Sequence, residues 1–265
     1  MLKFEQVSYG YSLGGQLTPV VENLSLEIPA GQLLCVLGPS GCGKTTLLHL
    51  AAGFLHPQQG QLSFQGRPIT GPHPERALVF QDATLFPWLR VVDNVAFGLR
   101  QRGVARTERR RLALQMLEQV GLAATANAWP MTLSGGMRQR VAIARVLALQ
   151  PAALLMDEPF SALDANSRER LQDLLLQLWQ AQRQTLLYIT HSVEEAAYLA
   201  DRVLIFGPAP QSLRADLINP VPRPRDRSAP QLLHFCQQLR QQLAQLPCCL
   251  APTILRPHKE FPPCA

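Results

Sequence analysis

Gly38-Pro39-Ser40-Gly41-Cys42-Gly43-Lys44-Thr45 follows the apolar run Leu33-Leu34-Cys35-Val36-Leu37 and opens a helical pattern that continues from Lys44 to Ala52. The run has the length of one buried strand and stops at glycine, so the stretch reads as strand, glycine-rich loop, helix. Glycines let backbone N–H groups converge on a phosphate chain where side chains would block the approach. Lys44 adds a point charge for β- and γ-phosphates, and Thr45 offers a hydroxyl to Mg²⁺. The helix behind them, beginning with Lys44, Thr45 and Thr46, turns its positive end toward the anion. All residues from Gly38 to Thr46 are candidate nucleotide contacts.

Outward from this stretch the pattern alternates. Leu2 to about Ile28 carries alternation and turn residues that suggest a small antiparallel sheet. Further buried strands are expected at Ala153–Met156, Thr185–Thr190 and Arg202–Phe206, with helices over Ser167–Gln182 and Val193–Ala200. Alternating strands and helices with continuous apolar strands indicate an α/β fold with a parallel sheet covered on both faces. From Arg106 to Ala148 the pattern is helical, and the stretch 82–149 reads as a helical insertion into that core. After Gly207, Pro208, Pro210, Pro220, Pro222, Pro224 and Pro230 indicate an extended linker. Leu232, Cys236, Leu239, Leu243 and Leu246 then space out one amphipathic helix, which packs back on the domain or meets a partner. The proline-rich end, Cys248–Ala265, is expected to be disordered. The domain reading is therefore 1–206 for the nucleotide-binding unit and 207–265 for a C-terminal extension.

Two adjacent carboxylates, Asp157 and Glu158, end the apolar run Leu154-Leu155-Met156. Structural burial does not account for such a pair. Beside a phosphate loop, Asp157 suits Mg²⁺ and Glu158 suits the general base that polarises an attacking water. Ser134-Gly135-Gly136 precedes a second helix, and a serine cap with exposed amides at a helix start is an anion site.

A net charge of +6 permits an anionic neighbour. Much of it lies in Arg100, Arg102 and Arg106–Arg111, which read as a solvated helix face because no aromatic residues are interleaved for base stacking. Nucleic acid is not the expected partner. No run of about twenty apolar residues occurs, and the start Met1-Leu2-Lys3-Phe4-Glu5 lacks a secretory layout, so a cytosolic protein is expected. Cys35, Cys42, Cys236, Cys248, Cys249 and Cys264 lack zinc-ligand spacing and read as reduced thiols.

In this order, the phosphate loop, Gln81, Leu133-Ser134-Gly135-Gly136-Met137, Asp157-Glu158, Ser161-Ala162-Leu163-Asp164 and His191 resemble the ATP-binding subunits of ABC transporters. The Leu-Ser-Gly-Gly element is the most specific part, since generic phosphate-loop enzymes lack it. The resemblance implies a phosphate-loop ATPase core with an N-terminal antiparallel β subdomain and an inserted helical subdomain. It makes ATP the substrate and Mg²⁺ the metal, held by Thr45, Gln81 and Asp157. It gives Glu158, His191, Gln81 and Lys44 the catalytic work. His191 senses the γ-phosphate, and Tyr11, with Tyr9 as the alternative, stacks on adenine.

It also implies that two copies pair head to tail, Ser134, Gly135, Gly136 and Asp164 of each completing the other's site. Where the family most often has glutamine, this chain has Met137. The segments Val79-Phe80-Gln81-Asp82, Leu85-Phe86-Pro87-Trp88, Asp93–Leu99 and Pro222-Arg223-Pro224-Arg225-Asp226 are similar to the nitrate/sulfonate/taurine importer group. The partners implied are permease subunits in the membrane and, indirectly, an external solute-binding protein, with this chain peripheral on the cytoplasmic face. The Trp88 segment is either the permease-facing groove or a core-packing loop. The alternative function is a cytosolic ABC ATPase that acts without a transporter.

Overall fold

The computed structural model describes residues 1–13, 16–209 and 213–246. Along the chain run β1 (Leu2–Leu13), β2 (Gln16–Ile28), β3 (Leu33–Leu37), α1 (Lys44–Ala52), β4 (Gln59–Phe64), β5 (Arg67–Pro68) and β6 (Arg76–Val79). Then come α2 (Val91–Gln101), α3 (Arg106–Gln119), α4 (Gly135–Leu147), β7 (Ala153–Asp157), α5 (Ala165–Gln182), β8 (Thr185–Ile189), α6 (Val193–Leu199), β9 (Arg202–Phe206), β10 (Leu213–Ile218) and α7 (Pro230–Ala244).

One sheet is antiparallel, ordered β2-β1-β4-β5; the other has six strands ordered β10-β9-β3-β8-β7-β6. In the latter β9, β3, β8, β7 and β6 run parallel and β10 is antiparallel to β9. The continuous apolar runs are explained by burial on both faces. Leu33, Cys35 and Leu37 of β3 join Leu154 and Met156 of β7 and Leu186 and Tyr188 of β8 in one core, shared with α2 to α7. Leu34 and Val36 join Leu155, Leu187 and Ile189 in a second core, where α1 packs against the antiparallel sheet. Alternate residues of each strand face opposite cores, as the period of two requires.

The helical stretch from Arg106 to Ala148 is broken where the pattern alone suggested continuity. Gly121, at φ 69°, ends the turn after α3, and Pro130 starts a short 3-10 turn before Ser134 caps α4. Glycine tolerates the left-handed conformation and proline cannot continue a preceding helix, so both act as stops. Two helices begin earlier than their periodicity suggests, α4 at Gly135 and α5 at Ala165, because Ser134 and Asp164 cap them.

The stretch after Gly207 departs from an extended linker. Leu213–Ile218 pairs with β9 and closes the sheet edge. Its inward side is only partly buried, so it lacks the apolar run by which the other strands declare themselves. The prolines beyond it sit in a strap held by arginines. Arg223 pairs with Asp201 at 2.9 Å, Arg225 donates to Tyr198 O at 2.8 Å, and Arg227 pairs with Asp173 at 2.8 Å. Helix α7 then packs back, burying Leu232, Phe235, Cys236 and Leu239 against α6. Cys35, Cys42 and Cys236 are buried free thiols. Gly14, Gly15, Pro210, Cys248, Cys249, Cys264 and the proline-rich end lie outside the described residues. Among the described residues no helix is long and apolar enough to cross a membrane.

Candidate functional site

Parallel pairing brings the chemistry to one edge. Val79 pairs with Met156, Asp157 with Ile189, and Val36 with Ile189. Gly38, Gln81, Glu158 and His191 therefore all follow the carboxyl ends of neighbouring strands, where open α/β sheets bind ligands.

The phosphate loop is shaped by its glycines. A Cβ on Gly38 would lie 2.4 Å from the Phe206 carbonyl oxygen and 2.8 Å from Cys42 Sγ. Gly43, at φ 95°, turns the chain into α1, a conformation that L side chains resist. Lys44, 6% exposed, donates from Nζ to the carbonyls of Gly38 at 2.8 Å and Pro39 at 2.7 Å. Its charge lies across the loop, held by bonds that an incoming phosphate can replace. Pro39, Ser40, Gly41 and Thr45 are exposed, whereas Cys42 and Thr46 are buried.

Asp157 ends β7 and is 7% exposed. Burial raises its carboxyl above the usual range, the Thr45 hydroxyl hydrogen bond pulls the other way, and the Glu158 charge adds to the rise. A buried carboxylate joined to a hydroxyl is an oxygen set that suits Mg²⁺, which keeps several waters of its own. Glu158 takes a left-handed φ of 42° while its N–H still donates to Ile189 O at 3.0 Å. This turn carries its side chain to His191, whose Nδ1 lies 3.1 Å from Glu158 Oε2. A carboxylate accepts, so Nδ1–H is the donor.

Gln81 is exposed just past β6. Its neighbour Phe80 accepts a 3.2 Å hydrogen bond from buried Gln139 of α4, and Arg145 of the same helix donates to Thr84 O at 2.8 Å. The loop after Gln81 is thus stitched to the helix that Ser134 caps. Ser134 Oγ accepts from Met137 N at 3.3 Å. Gly135 has open space where a Cβ would be, and one on Gly136 would lie 3.3 Å from Leu163. Met137 turns its side chain into the first core. Asp164 caps α5 through Ser167 N at 2.9 Å, a bond that lowers its pKa.

Tyr11 is 40% exposed and its hydroxyl lies 3.2 Å from Thr46 Oγ1, with Tyr9 edge-on to its ring at 5.2 Å between centroids. Of the two, Tyr11 offers the freer ring beside the phosphate loop. Trp88 is 69% exposed beside Phe86, which sits 4.5 Å from Phe97, so the outer ring of this loop is not core packing. Sequence reasoning missed Gln139 and also Glu195, a buried carboxylate one turn beyond His191. The only signal for Glu195 was an acid among the apolar residues of a short helix.

The ABC transporter family model matches residues 21–161. A taurine import ATP-binding protein, TauB, of Chromobacterium violaceum is 50% identical over 222 residues, 84% of each chain. An uncharacterized ABC transporter ATP-binding protein of Methanocaldococcus jannaschii is 42% identical over 90% of this chain and 89% of that one. A solved dimeric bacterial ABC transporter cassette matches with a TM-score of 0.78 at 29% identity, across 83% of this chain and 100% of that one. A post-hydrolysis structure of that cassette bound to ADP and Pi gives 0.75 at 28%, with the same coverage. Agreement of that extent makes the chain a member of the ABC transporter family, as an ATP-binding subunit and ATPase.

Proposed function

We propose that this ATPase powers a membrane importer for a small solute of the taurine, nitrate or sulfonate kind, by closing head to tail on a second copy when ATP binds. The observation that carries this reading is the stitched loop. Exposed Trp88 and the Gln81 stretch share one segment, and Gln139 and Arg145 join that segment to the helix headed by Ser134, Gly135 and Gly136. An exposed aromatic residue suits a permease interface. A push at that surface reaches both the hydrolytic edge and Gly135 and Gly136, which meet the second copy. The names of the relatives support the importer direction and the solute class.

Within each site Lys44 leaves its carbonyls to hold the β- and γ-phosphates, and Tyr11 stacks on the base. Thr45, Asp157 and Gln81 hold Mg²⁺, which when bound neutralises charge on the phosphate oxygens. His191 fixes Glu158 through Oε2, leaving Oε1 to take the proton of the attacking water. Asp164 and Ser134-Gly135-Gly136 serve the partner's ATP. Closure must be favoured strongly by ATP, on the order of 5 kcal/mol for near-complete switching. In this account two copies join permease subunits on the cytoplasmic face of the membrane, and a solute-binding protein acts from outside.

The test is a mild-detergent pull-down of tagged Glu158→Gln protein with Mg-ATP, read by mass spectrometry. A polytopic membrane protein at near-equal stoichiometry is expected, and it should be lost with Trp88→Ala. Recovery of soluble partners alone would move the function to a cytosolic ABC ATPase.

A further inference from the structure

The turn that carries His191 has no regular hydrogen-bonded structure of its own between β8 and α6. Its two flanking residues are instead joined to each other through the Thr190 hydroxyl, which is anchored in turn on buried Glu195. Thr190 Oγ1 donates to Glu195 Oε2 at 2.6 Å and accepts the Ser192 N–H at 3.0 Å. Because a carboxylate accepts, the direction of both bonds is set, and the chain is fixed immediately before and after His191. Glu195 is 8% exposed, and Tyr188 Oη donates to the same Oε2 at 2.9 Å from the interior of β8.

The other carboxylate oxygen faces α5. Gln172 Nε2 donates to Oε1 at 3.3 Å, and Arg168 Nε lies 3.7 Å from it. Arg168 does not stop there. It donates to Leu163 O at 3.0 Å and to Phe160 O at 3.4 Å, both in the loop between Glu158 and Asp164. That loop returns to the base, since Ser161 donates to Glu158 O from both its N–H, at 3.2 Å, and its Oγ, at 3.0 Å. A buried charge costs several kcal/mol in desolvation, and retaining one here calls for a reason beyond stability.

We propose that Glu195 is a positioning residue for hydrolysis: its buried carboxylate holds the His191 turn and the Glu158–Asp164 loop as one rigid piece, so that His191 meets Glu158 in register with the partner-facing Asp164. The proposal rests on the reading of Glu158 and His191 as the hydrolytic pair. Glu195 touches neither substrate nor the reacting water; it acts through Thr190 on one side and Arg168 on the other. Tyr188 serves as an internal control, because its bond goes to the same oxygen as that of Thr190 but leads away from the turn.

The experiment measures steady-state ATP hydrolysis and Tm of the full chain carrying Thr190→Val, Tyr188→Phe and Glu195→Gln, each alone and combined with His191→Ala. Thr190→Val and Glu195→Gln should each lower kcat about tenfold with KM for ATP within about twofold. Tyr188→Phe should lower Tm and leave kcat near wild type. On the His191→Ala background Thr190→Val should not reduce the rate further, as expected of residues acting through one group, whereas Glu195→Gln should keep the part of its loss that runs through Arg168 and the Glu158–Asp164 loop. Thr190→Val at the wild-type kcat, or equal losses from Thr190→Val and Tyr188→Phe in step with Tm, would overturn the proposal even if Glu195→Gln fails to fold. A His191→Ala protein that hydrolyses at the wild-type rate would instead remove the hydrolytic pair, and the proposal with it.

Discussion

His191 Nδ1 stands 3.1 Å from Glu158 Oε2, across the ends of two adjacent parallel strands, and Glu158 reaches it from a left-handed backbone conformation. Such a conformation costs on the order of 1–3 kcal/mol in a residue other than glycine, and this one sits at the turn from which Glu158 meets His191. His191→Ala should therefore lower kcat by about 10²-fold while nucleotide affinity holds, because the loss falls on orientation of the base. Hydrolysis assays paired with nucleotide-binding titrations separate the two quantities.

Lys44 spans its own loop through the Gly38 and Pro39 carbonyls. Lys44→Ala should weaken ATP binding by at least about tenfold, the loss of one charged contact to phosphate. Calorimetric titration would show it, and wild-type affinity would contradict the phosphate-loop assignment.

Asp157 carries a cost that a role in holding Mg²⁺ would explain. Burial raises its folded pKa above the ordinary 3.8. A carboxyl with a raised folded pKa favours folding below its unfolded value and loses that contribution as pH rises through the folded value. Asp157→Asn should accordingly raise Tm at neutral pH, lose that advantage below about pH 3.8, where both forms are neutral, and abolish hydrolysis. Thermal melts across pH in the absence of nucleotide test the sign.

Tyr11 should matter for its ring more than for its hydroxyl. Tyr11→Ala should cost about tenfold in ATP affinity, in line with base–aromatic stacking of about 1–3 kcal/mol, and Tyr11→Phe should stay near wild type. A loss on Tyr9→Ala with none on Tyr11→Ala would exchange the two roles.

Leu239 of α7 is fully buried. Leu239→Ala should destabilise the whole domain by about 2–5 kcal/mol, since the helix belongs to the main core. Denaturant unfolding with one shared transition is the expected result.

The core strands were legible because each is apolar on both faces, and α1 because glycine delimits it at each end. The phosphate loop, the acidic pair and His191 could be read for the same reason: each follows such a strand directly. β10 alternates Leu213, Ala215 and Leu217 with Arg214 and Asp216, but the prolines before and after it gave the stretch the look of an extended linker. The break at Gly121 and Pro130 was visible in principle, but the apolar spacing on either side masked it. Glu195 stayed hidden because its partners, Thr190, Tyr188, Gln172 and Arg168, are spread over three elements. Only the fold brings them to one carboxylate.

Light scattering on purified Glu158→Gln protein reads directly whether ATP binding closes two copies around Glu158-dependent hydrolysis. With saturating Mg-ATP the mass should double from that of the 29.3 kDa chain and return to it when ADP replaces ATP. A monomer that persists at saturating Mg-ATP would contradict the account.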